Sequence, residues 1–308
     1  MNINEHGILK YTTTEDDSGR QVRDILKKKM SLSSRLIKRL KYSDRIFLNN
    51  TPVFVVAAVK PGDTISANID IEEESDSLPE DIEINIIYED RSLIVLNKQP
   101  GIVVHPTRGH PTGTIANGIM NHLLNNGEKK KIRPVSRLDR DTSGIILFAK
   151  NEYIQEALIK QMKEKIFKKE YFGIVNGIIS EKSGTIDLPI ARKPDSIMLR
   201  HIDDSGDKSV TTFRVVEYLN DATCLRFNLE TGRTHQIRVH CQAIGHPLVG
   251  ETLYPQLNST KEKNTPLINR QCLHSESVSF IHPITKKAIN LSCDIPEDIK
   301  SVLETLRK

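Results

Sequence analysis

Ser136-Arg137-Leu138-Asp139-Arg140-Asp141-Thr142-Ser143-Gly144 runs straight into Ile145-Ile146-Leu147-Phe148. A polar, turn-forming segment thus feeds an apolar, strand-like run. Asp139 lies between Arg137 and Arg140, and neighbouring cations favour the charged form of a carboxylate. Such a group can serve as nucleophile or general base. It can equally be one member of a salt-bridged loop entering a strand. The rest of the chain has to decide between the two.

Outward from this run the pattern is β-rich. Strand-like segments occur at 82–87, 93–96, 171–175, 211–216 and 223–229, with helical patterns at 114–124 and 151–163. The regular βαβ alternation of a doubly wound sheet is missing. The spacing predicts an α+β domain over 82–308, built on a largely antiparallel mixed sheet flanked by helices. The polar segment 255–270 reads as a surface loop.

The N-terminal part differs in charge. Residues 20–45 carry ten cations against only Asp24 and Asp44. Val22, Ile25, Leu26 and Met30 recur at helical spacing, as do Leu36, Ile37 and Leu40, with Ser33 or Ser34 placed to cap the second helix. Strands are expected at 46–48 and 53–56 around an Asn49-Asn50-Thr51-Pro52 turn, and again at 64–66. A solvated charged face would produce such a run, but a one-sided excess of this size matches the footprint of nucleic-acid binding. Arg35, Lys38, Arg39 and Lys41 on the second helix are the candidate phosphate contacts. From Asp70 to Asp90 the charge reverses, with no cation among ten carboxylates. The stretch 72–80, with Pro79, reads as a flexible linker. The expected organisation is a small α/β module at 1–69 (core about 18–68), an acidic linker at 70–81 and the α+β domain at 82–308.

Composition sets bounds rather than answers. With 308 residues the chain can bury a sizeable core, and a net charge of +4 averages away the local charge blocks. Cys224, Cys241, Cys272 and Cys293 form no CxxC pair, which argues against a zinc site or redox pair and fits a reducing cytoplasm. No apolar run approaches the roughly 18–20 residues that span a bilayer, and the first residues lack the features of a secretory signal. A cytoplasmic monomer without a membrane partner is the expectation.

Several segments carry a resemblance. Ser31-Leu32-Ser33-Ser34-Arg35, Ile46-Phe47-Leu48-Asn49-Asn50 and Lys60-Pro61-Gly62-Asp63-Thr64-Ile65 resemble the alpha-L RNA-binding motif of a small-subunit ribosomal protein, with Asn50 where Gly is usual. Four more stand in the larger domain. They are the strand and turn from Leu93 to His105-Pro106, the opening run, Lys169-Glu170-Tyr171 leading to Gly177, and Gly232-Arg233-Thr234-His235-Gln236-Ile237-Arg238-Val239-His240 followed by Ile244-Gly245-His246-Pro247-Leu248-Val249-Gly250. Together they resemble an RluA-type pseudouridine synthase across nearly the whole chain. Two departures are visible. Ser136 stands where the family has His, and Lys98-Gln99-Pro100 replaces the usual Lys-Pro.

The resemblance implies an isomerase that breaks the C–N glycosidic bond of a uridine and rejoins the base through carbon. That reaction requires no metal, redox step or cofactor. Asp139 corresponds to the catalytic carboxylate, Arg238 to its partner, Tyr171 to the residue lying against the base, and Arg137 to the residue entering the space a flipped base vacates. Arg233 and His235 follow as framework with RNA contact, and His240 as framework. Asp141 and Arg140 are read as supports, and His105 as a loop-positioning residue. The lysines at 129–131 with Arg133, and those at 160–169, could extend the phosphate-binding surface. Ribosomal RNA is the leading substrate and transfer RNA the second. A phosphate contact stays open for Arg238. Two other classes also stay open: a non-catalytic RNA-binding assembly factor, and a carboxylate glycosidase that would release free uracil.

Overall fold

The computed structural model describes residues 2–3, 7–73, 75, 77–107, 109–255 and 267–308. Most of the loop expected at 255–270, and Glu74 and Asp76 of the acidic stretch, lie outside them.

The N-terminal unit is a five-stranded sheet, β1 (Asn2–Ile3), β2 (Ile8–Thr12), β3 (Ile46–Leu48), β4 (Thr51–Pro52) and β5 (Thr64–Asn68), in the order β1-β2-β5-β3-β4. Between β2 and β3 lie α1 (Val22–Lys28) and α2 (Ser34–Tyr42). Each helix buries the apolar residues expected from its periodicity, Val22, Ile25 and Leu26 in α1 and Leu36, Ile37 and Leu40 in α2. Ser33 caps α2, its Oγ accepting the Leu36 amide at 3.1 Å. Asn49 and Asn50 both take positive φ, 51° and 65°, which asparagine tolerates better than other side chains, and so close the β3–β4 turn. The strand expected at 53–56 does not form. The carbonyls of Val55 and Ala57 instead accept the Arg23 and Val22 amides of α1, both at 2.9 Å. This segment satisfies the orphan donors of a helix start rather than a ladder.

The larger unit contains β6 (Ile86–Glu89), β7 (Leu93–Lys98), α3 (Ile115–Asn125), β8 (Arg133–Pro134), β9 (Ser143–Ala149), α4 (Glu152–Lys163) and β10 (Lys168–Asn176). It continues through β11 (Ser183–Asp187), β12 (Ile190–Arg192), β13 (Arg200–Ile202), β14 (Val210–Leu219), β15 (Ala222–Leu229) and α5 (Gln236–Ala243). β16 (Leu273–Ile281), β17 (Ala288–Ser292) and α6 (Glu297–Leu306) complete it. Ten strands form one sheet in the order β11-β14-β15-β10-β16-β9-β7-β6, with β17 on β16 and β8 on β9. β9 and β16 run parallel, and the other pairings of this sheet among the described residues are antiparallel. This is the α+β class with a largely antiparallel mixed sheet. Gly144 sits where β9 meets β16, with φ 106° and space so tight that a Cβ would lie 2.3 Å from the Ser275 carbonyl oxygen. Only glycine fits there.

The strands at the centre are buried on both faces, so alternate residues enter different cores. Leu93, Val95, Ile145 and Leu147 pack with α4 and with residues of the N-terminal unit, including Leu9, Leu36 and Ile65. Ile94, Leu96, Ile146 and Phe148 pack on the other face with α3, α5 and Tyr171.

Polar contacts reinforce the shared core. Arg35 pairs with Glu152 of α4, and Arg39 pairs with Glu73 and, at 3.3 Å, with Glu152. Arg133 reaches Glu73 at 2.8 Å, and Lys130 pairs with Asp70. Further along, Asn117 donates to the Leu78 carbonyl at 2.7 Å, and Glu80 accepts the Gly113 amide at 2.9 Å. The flexible linker expected at 72–80 is therefore corrected: where described, it is a tethered strap. Its Glu73 meets Arg39 of α2 and Arg133, while Asp70 just before it meets Lys130.

Candidate active site

Asp139 lies in the turn between β8 and β9, closed by the Thr142 amide donating to the Asp139 carbonyl at 3.2 Å. Its side chain is 23% exposed, set in a wall of buried groups. The neighbouring arginines do not hold it. Arg137 donates to Thr234 Oγ1 at 3.1 Å, and Arg140 turns to Asp141 at 3.0 Å. The partner comes from α5: Arg238 Nη1 donates to Asp139 Oδ2 at 3.3 Å. The other edge of the guanidinium is clamped by Glu251, with Nε donating at 2.7 Å and Nη2 at 2.6 Å. Glu251 is 1% exposed and also accepts the amides of Leu253 and Tyr254 at 2.8 and 3.3 Å. Such a bidentate pair fixes the plane of an arginine. One guanidinium edge is thereby left directed at Asp139.

His235 precedes α5 in the left-handed conformation, φ 58°. Its Nε2 lies 3.8 Å from Asp139 Oδ1, and its Nδ1 is 2.6 Å from the Tyr254 hydroxyl. Burial lowers its proton affinity against the opposing pull of Asp139, which favours a neutral imidazole. Tyr254 also sits under Arg238, whose guanidinium carbon is 5.4 Å from the ring centroid.

Tyr171 is buried on β10 beside Asp139, and burial with that negative charge raises its hydroxyl pKa. It stays a neutral phenol. Lys169, two residues earlier and so on the same face, donates to Ser136 Oγ at 2.6 Å and sits 3.5 Å from the Tyr171 hydroxyl. Under the turn, buried Lys98 donates to the carbonyls of Gln99, Ile102 and Arg140 at 2.8, 3.0 and 2.7 Å. Desolvation pushes its pKa down to about 7.

Beside Arg137 opens a cleft of about 450 Å³ lined by Arg192 and Arg200 of the β12–β13 hairpin and by Arg233 and Thr234. Arg192 and Arg200 end on carbonyls, of Ser196 at 2.7 Å and of Met198 and Leu199 at 3.0 and 2.9 Å, so their charge is not cancelled. Arg233 pairs with Asp207 at 3.3 Å. On α2, Lys38 and Lys41 are exposed, whereas Arg35 and Arg39 end on carboxylates. The cations at 129–133 and 160–169 do not form one surface: Lys130, Arg133, Lys160 and Lys165 pair with carboxylates, and Lys169 turns inward. His240 is buried between Thr211 and the Leu188 carbonyl, and His105 Nδ1 lies 3.4 Å from the Pro106 carbonyl oxygen. Among the described residues no group of three or more His, Cys, Asp or Glu is arranged to hold a metal ion.

Residues 92–243, which contain Asp139, Tyr171 and Arg238, match the RNA pseudouridylate synthase family. A Bacillus subtilis (strain 168) protein described as an uncharacterized RNA pseudouridine synthase, YjbO, is 39% identical over 277 residues, covering 89% of this chain and 95% of its own. The chain belongs to the RNA pseudouridine synthases. The ribosomal large subunit pseudouridine synthase D of Xanthomonas campestris is 34% identical, covering 89% of this chain and 85% of its own. Human RNA Pseudouridylate Synthase Domain Containing 4 shares the fold, with a TM-score of 0.60 at 20% identity over 72% of this chain and 93% of its own.

In this synthase, Asp139, Arg238, Tyr171 and His235 come together from segments nearly 100 residues apart, and Arg137 and Arg233 line the adjoining cleft. Glu251 and Tyr254 were not singled out in the sequence, and Lys98 stood out only as part of the Lys98-Gln99-Pro100 departure. Glu251 directly follows the His246-Pro247-Leu248-Val249-Gly250 run. A carboxylate at the end of a motif that already supplies an arginine was the available signal.

Proposed function

We propose that this synthase isomerises particular uridines of large-subunit ribosomal RNA, with Asp139 as its catalytic carboxylate. The observation that carries the reading is the Glu251–Arg238–Asp139 chain, in which one buried carboxylate orients an arginine toward a second carboxylate. A protein that only bound RNA would have no need of it. Relatives named ribosomal large subunit pseudouridine synthase D support the substrate.

A stacked uridine is out of reach, so the enzyme must extrude it, at roughly a few kcal/mol. Arg137 stands exposed at the mouth of the site, where its planar guanidinium can stack in the vacated space. Tyr171 offers the ring face against which the base lies, and Arg238 holds Asp139 toward the ribose. The cleft cations Arg192, Arg200 and Arg233 face the flanking phosphates. Residues 1–69 are read as an RNA-binding module of the alpha-L type, with Lys38 and Lys41 its exposed phosphate contacts and Arg35 and Arg39 reaching RNA only by exchanging a carboxylate partner. The enzyme is read as a cytoplasmic monomer; its four unpaired cysteines fit a reducing compartment.

Asp139→Ala should lower pseudouridine formation by at least about 10⁴-fold, the scale seen when an acting catalytic group is removed. RNA affinity should stay within a few-fold. Pseudouridine mapping of total RNA from cells with and without the protein identifies the sites. Activity retained in the variant, or lost sites confined to transfer RNA, would contradict the corresponding part of the reading.

A further inference from the structure

Most of the enclosed cations of the larger unit meet an oxygen that carries charge or strong dipole. Lys150 ends on Glu89 and Glu128, Arg238 on Glu251 and Asp139, Arg270 on Asp298, and Lys98 on three carbonyls. Lys169 differs. Its hydrogen-bond partners among the described residues are two hydroxyls, of Ser136 and Tyr171, and no carboxylate there pairs with it. The groups across the neighbouring strands, Phe227 and Ser275 opposite Tyr171 and Val278 opposite Lys169, carry no charge. Glu170 points to the other face, toward Arg214 and Arg226. Asp139 acts on the Tyr171 hydroxyl, and it is already engaged by Arg238. A desolvated ammonium held by two hydroxyls and lying 5.7 Å from the Tyr171 ring centroid, with no carboxylate paired to it among the described residues, is an incomplete arrangement. The reaction itself can supply the missing anion.

We propose that Lys169 is the cation that holds the uracil while it is detached from the ribose. The inference rests on the reading of Asp139 as the catalytic carboxylate, but not on how Asp139 acts. Whatever the role of Asp139, the C1′–N1 bond breaks heterolytically, and its electron pair leaves on the uracil, spread over N1, O2 and O4. Rejoining forms C1′–C5. The C5 proton is then released and N1 gains one, so the isomerisation is proton-neutral and Lys169 keeps its own proton throughout. A preorganised cation aimed at charge that develops only during the reaction stabilises that stage selectively. Ser136 serves this arrangement by anchoring the ammonium with a neutral acceptor. A carboxylate there would cancel the charge, and a protonated histidine would repel it.

Desolvation pushes the Lys169 pKa down to about 8, so the working cation is present at neutral pH and lost above that value. Lys98, under the catalytic turn, titrates near 7, and His235 titrates below the usual histidine range, so a pH profile of the wild type alone does not single out Lys169. The test is single-turnover pseudouridine formation by the full chain on its mapped RNA, with affinity measured separately. Lys169→Met should lower the rate constant about 10²- to 10³-fold, the range seen when one charge-stabilising donor is removed, with RNA affinity within threefold. Lys169→Arg should stay within about tenfold of wild type and lose the fall in rate near pH 8. A Lys169→Met rate within threefold of wild type overturns the proposal, as does a limb near pH 8 that persists in Lys169→Arg. Should Lys169→Met not fold, the Lys169→Arg profile decides alone. Asp139→Ala in the same assay separates the two readings, because activity retained there counts against the carboxylate and leaves the Lys169 ratio intact.

Discussion

Arg35 and Arg39 on α2, and Arg192 and Arg200 on the β12–β13 hairpin, are the same residue type in opposite electrostatic situations. The α2 pair ends on Glu73 and Glu152, side chains that are themselves nearly buried. The hairpin pair ends on backbone carbonyls, which orient a guanidinium without neutralising it. In sequence the ranking looks reversed, because α2 lies in the densest cationic run of the chain and Arg192 and Arg200 stand apart. What a phosphate meets is the charge left after internal pairing. By that measure the hairpin arginines offer more free charge than the α2 arginines, which seat the N-terminal unit on the larger one, although Lys38 and Lys41 stay exposed on α2.

The largest effect is therefore expected at the cleft. Arg192→Met with Arg200→Met should weaken RNA binding about ten- to thirtyfold at moderate salt. The slope of log K against log salt should flatten by nearly two, about 0.9 for each phosphate no longer neutralised. Thermal stability should hardly change, since only hydrogen bonds at the protein surface are removed. A slope unchanged from wild type would reverse the comparison.

Arg35→Met with Arg39→Met should show the opposite profile. Glu152 would be left buried beside apolar Tyr153 and Ile154 without its cations, and removing one side of an enclosed pair is destabilising. Arg35 is 75% exposed, so solvent screens its share, and a loss of about 1–3 kcal/mol in unfolding free energy is expected. The salt slope of RNA binding should flatten by less than one. A stable variant with a slope lowered by two would show that α2 grips RNA directly.

The contrast also explains what could be read from sequence. Local signals were reliable: apolar spacing located α1 and α2, Ser33 marked a cap, and Thr114 and Asn151 opened α3 and α4. The α+β class followed from the mixture of runs without regular alternation. Asp139, Tyr171 and Arg238 stand out by motif resemblance, and the geometry places them together. What failed needed a partner distant in sequence. Residues 53–56 have strand-forming side chains, but their carbonyls serve α1. The segment 72–80 has the composition of a linker only while Arg133 and Arg39, the partners of Glu73, are left out of account. Arg137 and Arg140 flank Asp139 in the chain, yet the turn directs both away from it. Lys169 reads as one of a run of surface lysines, although two-residue alternation from Tyr171 already places it on the inner face.

The smallest expected effect sharpens the comparison most, because it turns the seam into something like the cleft. Glu73 lies between Arg39 and Arg133 and bonds both. Glu73→Gln keeps the side-chain shape and one acceptor while depriving Arg133 of its carboxylate and leaving Arg39 with Glu152 alone. Stability should fall by about 1 kcal/mol, because a partly enclosed charge pair gives way to neutral hydrogen bonds. If the arginines can reach RNA once uncancelled, affinity at low salt should rise about two- to threefold and the salt slope should steepen by up to one. Stability and affinity would then move in opposite directions, which a general loosening of the fold does not produce. An affinity that stays level or falls would mean that α2 faces away from the RNA path, leaving Glu73 and its arginines with a structural task alone.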